Sequence, residues 1–307
     1  MTVPESAWPE GTPDSTGTVP VLSRTAHDRA HLSRGLPDPA AGRPVRVLII
    51  DPDRSAPVRE DDDGPHLLWD ERPEFPADAV FLGEADGVPH AAVRGERSLR
   101  VGGHPVDSWS GLREVGSVLG DLDAGLLVQA VAILEWHDRH RFSPLTGAET
   151  TIEQAGWVRR DPTTGTQFFP RTDPAVIMLV HDGGDRVVMG RQAVWPPGRF
   201  SILAGFVEPG ESAEAAVARE VAEEVGLRVT DIRYVGSQPW PFPQSLMLGF
   251  IARADGNDTI RLDPDEIEEA RWFTRAELRA GEGPRALPPP VSIARHILDR
   301  WVAGEFD

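Results

Sequence analysis

The sequence predicts an α+β protein in two parts: a C-terminal domain of strands and helices on a mixed β-sheet, preceded by a smaller α+β domain. Three observations carry this. A chain of 307 residues is long enough for two domains and a substantial core. Short apolar runs between residues 66 and 103 (HLLW, AVFLGEA, HAAV) are separated by Gly, Pro and Asp, the punctuation of small strands. Beyond residue 171, strand-like runs alternate with an Ala-rich helical segment, the pattern of helices laid on a mixed sheet.

Taken in order, residues 1–20 are rich in Pro, Ser, Thr and Gly with little to bury, and are expected to form a disordered tail. Residues 21–140 are expected to form the first domain. VLSRTAHDRAHLSRG begins it as a helix, VRVLII (Val45 to Ile50) is a buried strand, and Gly125 to His140 is an apolar-periodic helix that closes it. His137 and His140 stand three apart, a spacing that can bind metal; without partners nearby in sequence they read as surface or linker histidines.

Residues 141–170 are turn-rich. Ser143 and Thr146, then Asp161 and Thr164, form two pairs with fourteen residues between them, the spacing of a zinc ribbon. Hydroxyls are poor zinc ligands, so a ribbon shape without zinc is expected, stabilised by turns, packing or a partner subunit. In residues 171–307, Ala175 to Val180 and Arg186 to Met189 read as a hairpin of buried strands, Phe200 to Phe206 leads into a loop, and Val229 to Val235 and Leu246 to Ala252 are further strands.

Composition removes several classes of function. A net charge of −18 opposes nonspecific attraction to nucleic acid or anionic membranes, although a local basic patch stays open. All 31 basic residues are arginine, which excludes lysine Schiff-base chemistry and leaves guanidinium groups for phosphate contacts. With no cysteine there are no disulfides, thiolate nucleophiles or thiolate-bound zinc. MTVPESAWPEG has no secretory pattern, and no apolar run approaches the ~20 residues that span a bilayer, so a soluble cytoplasmic protein is expected.

The most informative stretch is Gly205 to Leu227, GFVEPGESAEAAVAREVAEEVGL. It predicts a glycine-punctuated loop, a helix from about Ser212 and a stop at Gly226. Glu220, Glu223 and Glu224 fall on one helix face, in the last two turns, where the helix dipole already disfavours acids. Such a density of carboxylate oxygens suits a hard cation, Mg2+ or Mn2+, with Arg219 holding one glutamate in place. Spacing alone also fits a solvated acidic face.

The full pattern resembles the Nudix box at every specified position: Gly205, Glu211, Arg219, Glu220, Val221, Glu223, Glu224, Gly226 and Leu227. Ten residues past it, SQPWPFPQS (Ser237 to Ser245) matches the motif of the NADH pyrophosphatase branch. Read as residues, its alternating prolines favour a stiff, extended backbone. That backbone presents Trp240 and Phe242 for stacking on a base or nicotinamide, with Gln238 and Ser245 as hydrogen-bonding groups; composition also fits a loop that caps the core.

The resemblance implies an α/β/α sandwich for the C-terminal domain and a homodimeric hydrolase that cleaves NADH or NAD+ at the pyrophosphate into nicotinamide mononucleotide and AMP with Mg2+ or Mn2+. Glu220, Glu223 and Glu224 would bind metal, with Glu211 and Arg219 in the catalytic set and Ala204 offering its carbonyl. Glu266, after the Asp263-Pro264 turn, would join as a ligand or general base, or is simply helix-start charge. Gln238, Pro239, Trp240, Pro241, Phe242, Pro243, Gln244, Ser245, Phe169, Phe206, Ala294 and Arg113 would contact substrate. In that branch cysteines occupy the positions of Ser143, Thr146, Asp161 and Thr164. The alternatives are removal of NAD caps from RNA 5′ ends by the same site, and a non-catalytic nucleotide-binding regulator on the same fold.

Overall fold

A computed structural model describes residues 19–256, 259–263 and 265–306. The chain divides into two compact units, Met1–Arg171 and Thr172–Asp307. The tail expected at residues 1–20 lies, apart from Val19 and Pro20, outside the described residues.

In the first unit Val45–Ile50 is the strand that VRVLII predicts. It lies parallel to Val88–Arg94 in a sheet ordered Asp70–Arg72, Val45–Ile50, Val88–Arg94, Val80–Ala85. A second sheet places Ser55–Asp61 between Gly64–Leu67 and Ser108–Gly111. The long helix runs Asp121–Arg139, starting four residues before the predicted Gly125 because Asp121 and Asp123 suit a first turn where the dipole favours acids.

The helix expected after residue 20 does not form. Val21–Ser23 and His31–Gly35 are single 3-10 turns, and Ala30 between them is left-handed at φ 41°. Tertiary bonds capture this segment instead: the Arg24 guanidinium donates to Asp121 at 3.0 Å and to the carbonyls of Gly116 and Leu119, and Asp28 pairs with Glu84 as a β-bridge.

His137 corrects the sequence reading. It is buried, not a surface histidine. Arg159 can only donate, so its contact of 2.9 Å makes His137 Nδ1 the acceptor, and the Nε2 proton goes to the Gly156 carbonyl at 2.8 Å. This fastens the long helix to a three-stranded sheet of Thr151–Glu153, Val158–Arg160 and Gln167–Phe168.

Two tight turns flank that small sheet. Gly147 N–H donates to the Ser143 carbonyl and Gly165 N–H to the Asp161 carbonyl, both at 2.9 Å. The buried Asp161 carboxylate joins the turns, accepting from the Thr146 hydroxyl at 2.7 Å and from the Thr163 and Thr164 N–H groups at 2.7 and 3.1 Å. Hydrogen bonds from Ser143 and Thr146 hold this carboxyl well below its ordinary range. Thr164 turns its own hydroxyl to Thr166.

The second unit is a sandwich. Its mixed sheet runs Val229–Trp240, Ser245–Ala254, Asp173–His181, Arg186–Arg191, Glu269–Thr274; Leu203–Phe206 also pairs with Asp173–His181, along its N-terminal half. Asp173–His181 and Ser245–Ala254 are parallel. Because side chains alternate across a strand, Val176, Met178 and Val180 meet the helix Ala213–Val225 on one face, while Ile177 and Leu179 meet the helix Ile293–Ala303 on the other. Each face is dry, so both helices are fixed against the sheet.

Burial lowers the pKa of His137 and of His90 to about 4, so both are neutral in the fold. A depressed histidine adds stability fully present above pH ~6.5 and lost as pH falls towards 4. Denaturation measured between pH 7 and 4.5 is expected to show this loss, at up to about 1.4 kcal/mol per pH unit for each histidine, with His137→Gln reducing the slope. Asp161→Ala is expected to lower the thermal midpoint, whereas added zinc leaves that of the unsubstituted protein unchanged.

Candidate active site

The helix Ala213–Val225 begins and ends as the sequence predicts. The Ser212 hydroxyl accepts from Ala215 N–H at 3.2 Å, and Gly226 closes the helix left-handed at φ 68°. Ala216, Val217, Val221 and Val225 dock on the sheet. That docking carries Glu220 and Glu224, one turn apart, to the edge of the core, where they are only 8% and 4% exposed; Glu223 faces solvent.

Gly205, on the Leu203–Phe206 strand, makes room for Glu220. A Cβ built there would lie 1.9 Å from the Glu220 carboxyl carbon, so any other residue would expel the carboxylate. The motif fixes this glycine, but its steric reason appears only in three dimensions.

Glu266 arrives from forty residues downstream through the orphan carbonyls at the helix end. Arg261 N–H donates to the Val225 carbonyl at 2.9 Å and Asp263 N–H to that of Glu224 at 3.4 Å. Asp263 then turns the chain, accepting from Asp265 N–H on its side chain and from Ile267 N–H on its carbonyl, both at 2.9 Å. Glu266 therefore lies in a turn that leads to the Glu269–Thr274 strand, not at a helix start. Carboxylate oxygens of Glu220, Glu224 and Glu266 all lie within 4.8 Å of one another.

Arg219 counters part of this charge. Its guanidinium holds Glu211 through two bonds of 2.9 Å, Glu220 and Glu223 at 2.9 Å each, and the Phe206 carbonyl at 2.9 Å. Arg219 and the Glu208 N–H push Glu211 down to about 2, so it stays ionised. Glu224 has no such partner among the described residues. Burial first, then Glu220, Glu266 and Glu223, push it up to about 8, and its Oε2 is buried without a hydrogen bond. Burial also raises Glu220, against the pull of Arg219.

An orphaned carboxylate oxygen, a glycine cradle and an all-oxygen donor set fit a hard divalent cation. Glu223 lies outside the close trio, tethered to Arg219 at the exposed rim.

The Ser237 to Ser245 stretch is less uniform than alternating prolines suggest. It is extended only to Trp240, which pairs with Ser245; Pro241 to Gln244 then turn the hairpin. The Trp240 and Phe242 rings meet edge-on at 4.9 Å, both half-buried. Gln238 is wholly buried and donates to the Val291 carbonyl at 3.2 Å, while Gln244 donates to Asp173 at 2.9 Å, so both amides support the fold. Pro241 is buried, and Pro239, Pro243 and Ser245 are half-buried.

Of the remaining residues, Phe206 is 59% exposed beside Gly205, and Ala204 precedes it on the same strand. Ala294 is buried on the opposite side of the sheet, in the first turn of the C-terminal helix Ile293–Ala303. Arg113 and Phe169 are exposed and belong to the first unit.

Comparison with known proteins agrees with this geometry. Residues 171–292 match the NUDIX domain model. The chain is 44% identical over 307 residues to "NAD-capped RNA hydrolase NudC" of Mycobacterium bovis and of Mycobacterium tuberculosis, covering 94% of this chain and 96% of each relative. It is 41% identical over 198 residues to "NAD-capped RNA hydrolase NUDT12" of Homo sapiens, covering 60% of this chain and 43% of that protein. With the box glutamates gathered around a glycine cradle and near full-length similarity to these relatives, the chain belongs to the NudC-like branch of the Nudix hydrolases.

Proposed function

We propose that this protein hydrolyses the pyrophosphate bond of NAD, both as free NADH or NAD+ and as the NAD cap at an RNA 5′ end. The observation that carries the reading is the close trio Glu220, Glu224 and Glu266, the first two buried, with its orphaned Glu224 oxygen. Leaving two acids against the core with a third folded onto them stores repulsion that a binding-only regulator would have no use for. The cap reading draws on the names of the relatives, and both substrates present the same scissile bond.

Glu220, Glu224 and Glu266 would hold Mg2+ or Mn2+, with Glu223 at the rim and the Ala204 carbonyl as further donors. A divalent cation bound there supplies positive charge against the pyrophosphate oxygens and lowers the pKa of an attacking water. The chain's own groups do the rest. Arg219 fixes Glu220 and Glu223 in orientation, so their oxygens need not reorganise during reaction. A carboxylate of the trio accepts the proton of the attacking water. Trp240 and Phe242 offer aromatic faces for a base or nicotinamide ring, where stacking contributes about 1–3 kcal/mol per base. As in the branch it resembles, the enzyme would act as a cytoplasmic homodimer.

The reading separates stability from activity. Glu224 is raised to about 8 in the fold, so its ionisation opposes folding: the penalty is absent below pH ~4.5 and complete above ~8. Glu224→Gln is expected to stabilise the metal-free protein at pH 8.5 by roughly 2–4 kcal/mol while lowering kcat by at least ~100-fold. Retained release of AMP from NADH by that variant would refute the assignment. Gly205→Ala is expected to cost activity on a similar scale by displacing the Glu220 carboxylate. Assayed side by side, NADH and NAD-capped RNA are both expected to be cleaved, with a shallow salt dependence for the RNA because the chain carries −18.

A further inference from the structure

The third carboxylate of the trio differs from its neighbours in support. Glu220 and Glu224 ride on a helix docked by four core residues, whereas Glu266 stands exposed on a turn. Something must hold that turn at its far end. Its near end hangs from the Glu224 and Val225 carbonyls. At the far end Glu268 N–H donates to the Arg191 carbonyl at 3.0 Å, and the Glu268 carboxylate forms an ion pair with the guanidinium of Arg191.

Arg191 ends the Arg186–Arg191 strand and is only 7% exposed. Its other terminal nitrogen donates to the Trp195 carbonyl at 2.8 Å, in the loop between that strand and the one carrying Gly205. One buried guanidinium thus joins two loops. Between Glu266 and Glu268, Ile267 is buried at 4% exposure, and the Gly190 side of the strand would bring a Cβ to 3.4 Å from it, so the turn is packed as well as bonded. Breaking the ion pair would leave a buried cation without its carboxylate, a loss the turn would feel directly.

We infer that Arg191, through its ion pair with Glu268, is a positioning residue that fixes where Glu266 presents its carboxylate. This rests on the metal reading of the trio above. Its action is indirect, of the kind by which groups behind metal ligands change affinity about 10–100-fold.

The test measures Mn2+ binding by calorimetry in unsubstituted protein, Arg191→Met, Arg191→Lys, Glu268→Gln, Glu266→Gln and the double variant Arg191→Met with Glu266→Gln. Glu268 is half in solvent, so Glu268→Gln breaks the tether from its exposed side and removes no packed core atom. Arg191→Met and Glu268→Gln are each expected to weaken Mn2+ binding about 10-fold, with Arg191→Lys restoring part of the loss. In the Glu266→Gln background, Arg191→Met is expected to add nothing further, because the group it positions is gone. Unchanged Mn2+ affinity in both tether variants, or equal weakening by Arg191→Met with and without Glu266, would overturn the inference. If instead Glu266→Gln binds Mn2+ as tightly as the unsubstituted protein, the metal reading itself fails.

Discussion

Like charges brought together at the edge of a dry core are the constraint on which the second unit depends. Glu220 and Glu224 sit one turn apart on a helix whose apolar side is committed to the sheet, and Glu266 is folded back onto them. Glu220 and Glu224 cost more to ionise there than in water, and the charge of Glu266 adds to the cost for both. The unbalanced member is Glu224, pushed up to about 8. The fold tolerates this because the sandwich around it is closed on both faces of the sheet, and because one guanidinium, Arg219, is bonded to Glu220, Glu223, Glu211 and a backbone carbonyl at once.

Division of labour among the acids follows from their neighbours. Glu211, paired with Arg219, is a permanently charged strut that orients the arginine. Glu220 has that arginine on one side and open space provided by Gly205 on the other. Glu224 has neither among the described residues, and burial with its acidic neighbours pushes it up to about 8. A site assembled this way leaves its strongest electrostatic demand unmet by the described residues, the usual compromise between stability and activity.

The first unit handles burial of charge differently. Asp161 is as buried as any residue in the chain, but hydroxyl and backbone donors surround it and its carboxyl is held ionised. Arg159, also buried, rests on neutral partners, the His137 ring and the Thr150 hydroxyl. Satisfied polar groups inside a small sheet of short strands can specify its shape where apolar area is scarce.

The sequence by itself determined the elements whose signals are local. The Ser212 cap, the Gly226 stop and the i, i+4 spacing of Glu220 and Glu224 are written within fifteen residues, and they fold as written because a helix satisfies its own backbone. The strand Val45–Ile50 was legible for the same reason, as a short apolar run. Tertiary structure decided what depends on distant partners. Residues 21–35 gave up a helix to Asp121 and Glu84, and His137 became a core group because Arg159 and Gly156 meet it. The proline-rich stretch became a hairpin because Trp240 pairs with Ser245. Motif matching pointed to Glu266, but its union with Glu220 and Glu224 rests on backbone bonds across forty residues, and the Arg191 clip joins positions nearly eighty residues apart. No local pattern encodes such contacts, because their energy depends on desolvation and geometry that exist only once the sheet and its helices have packed.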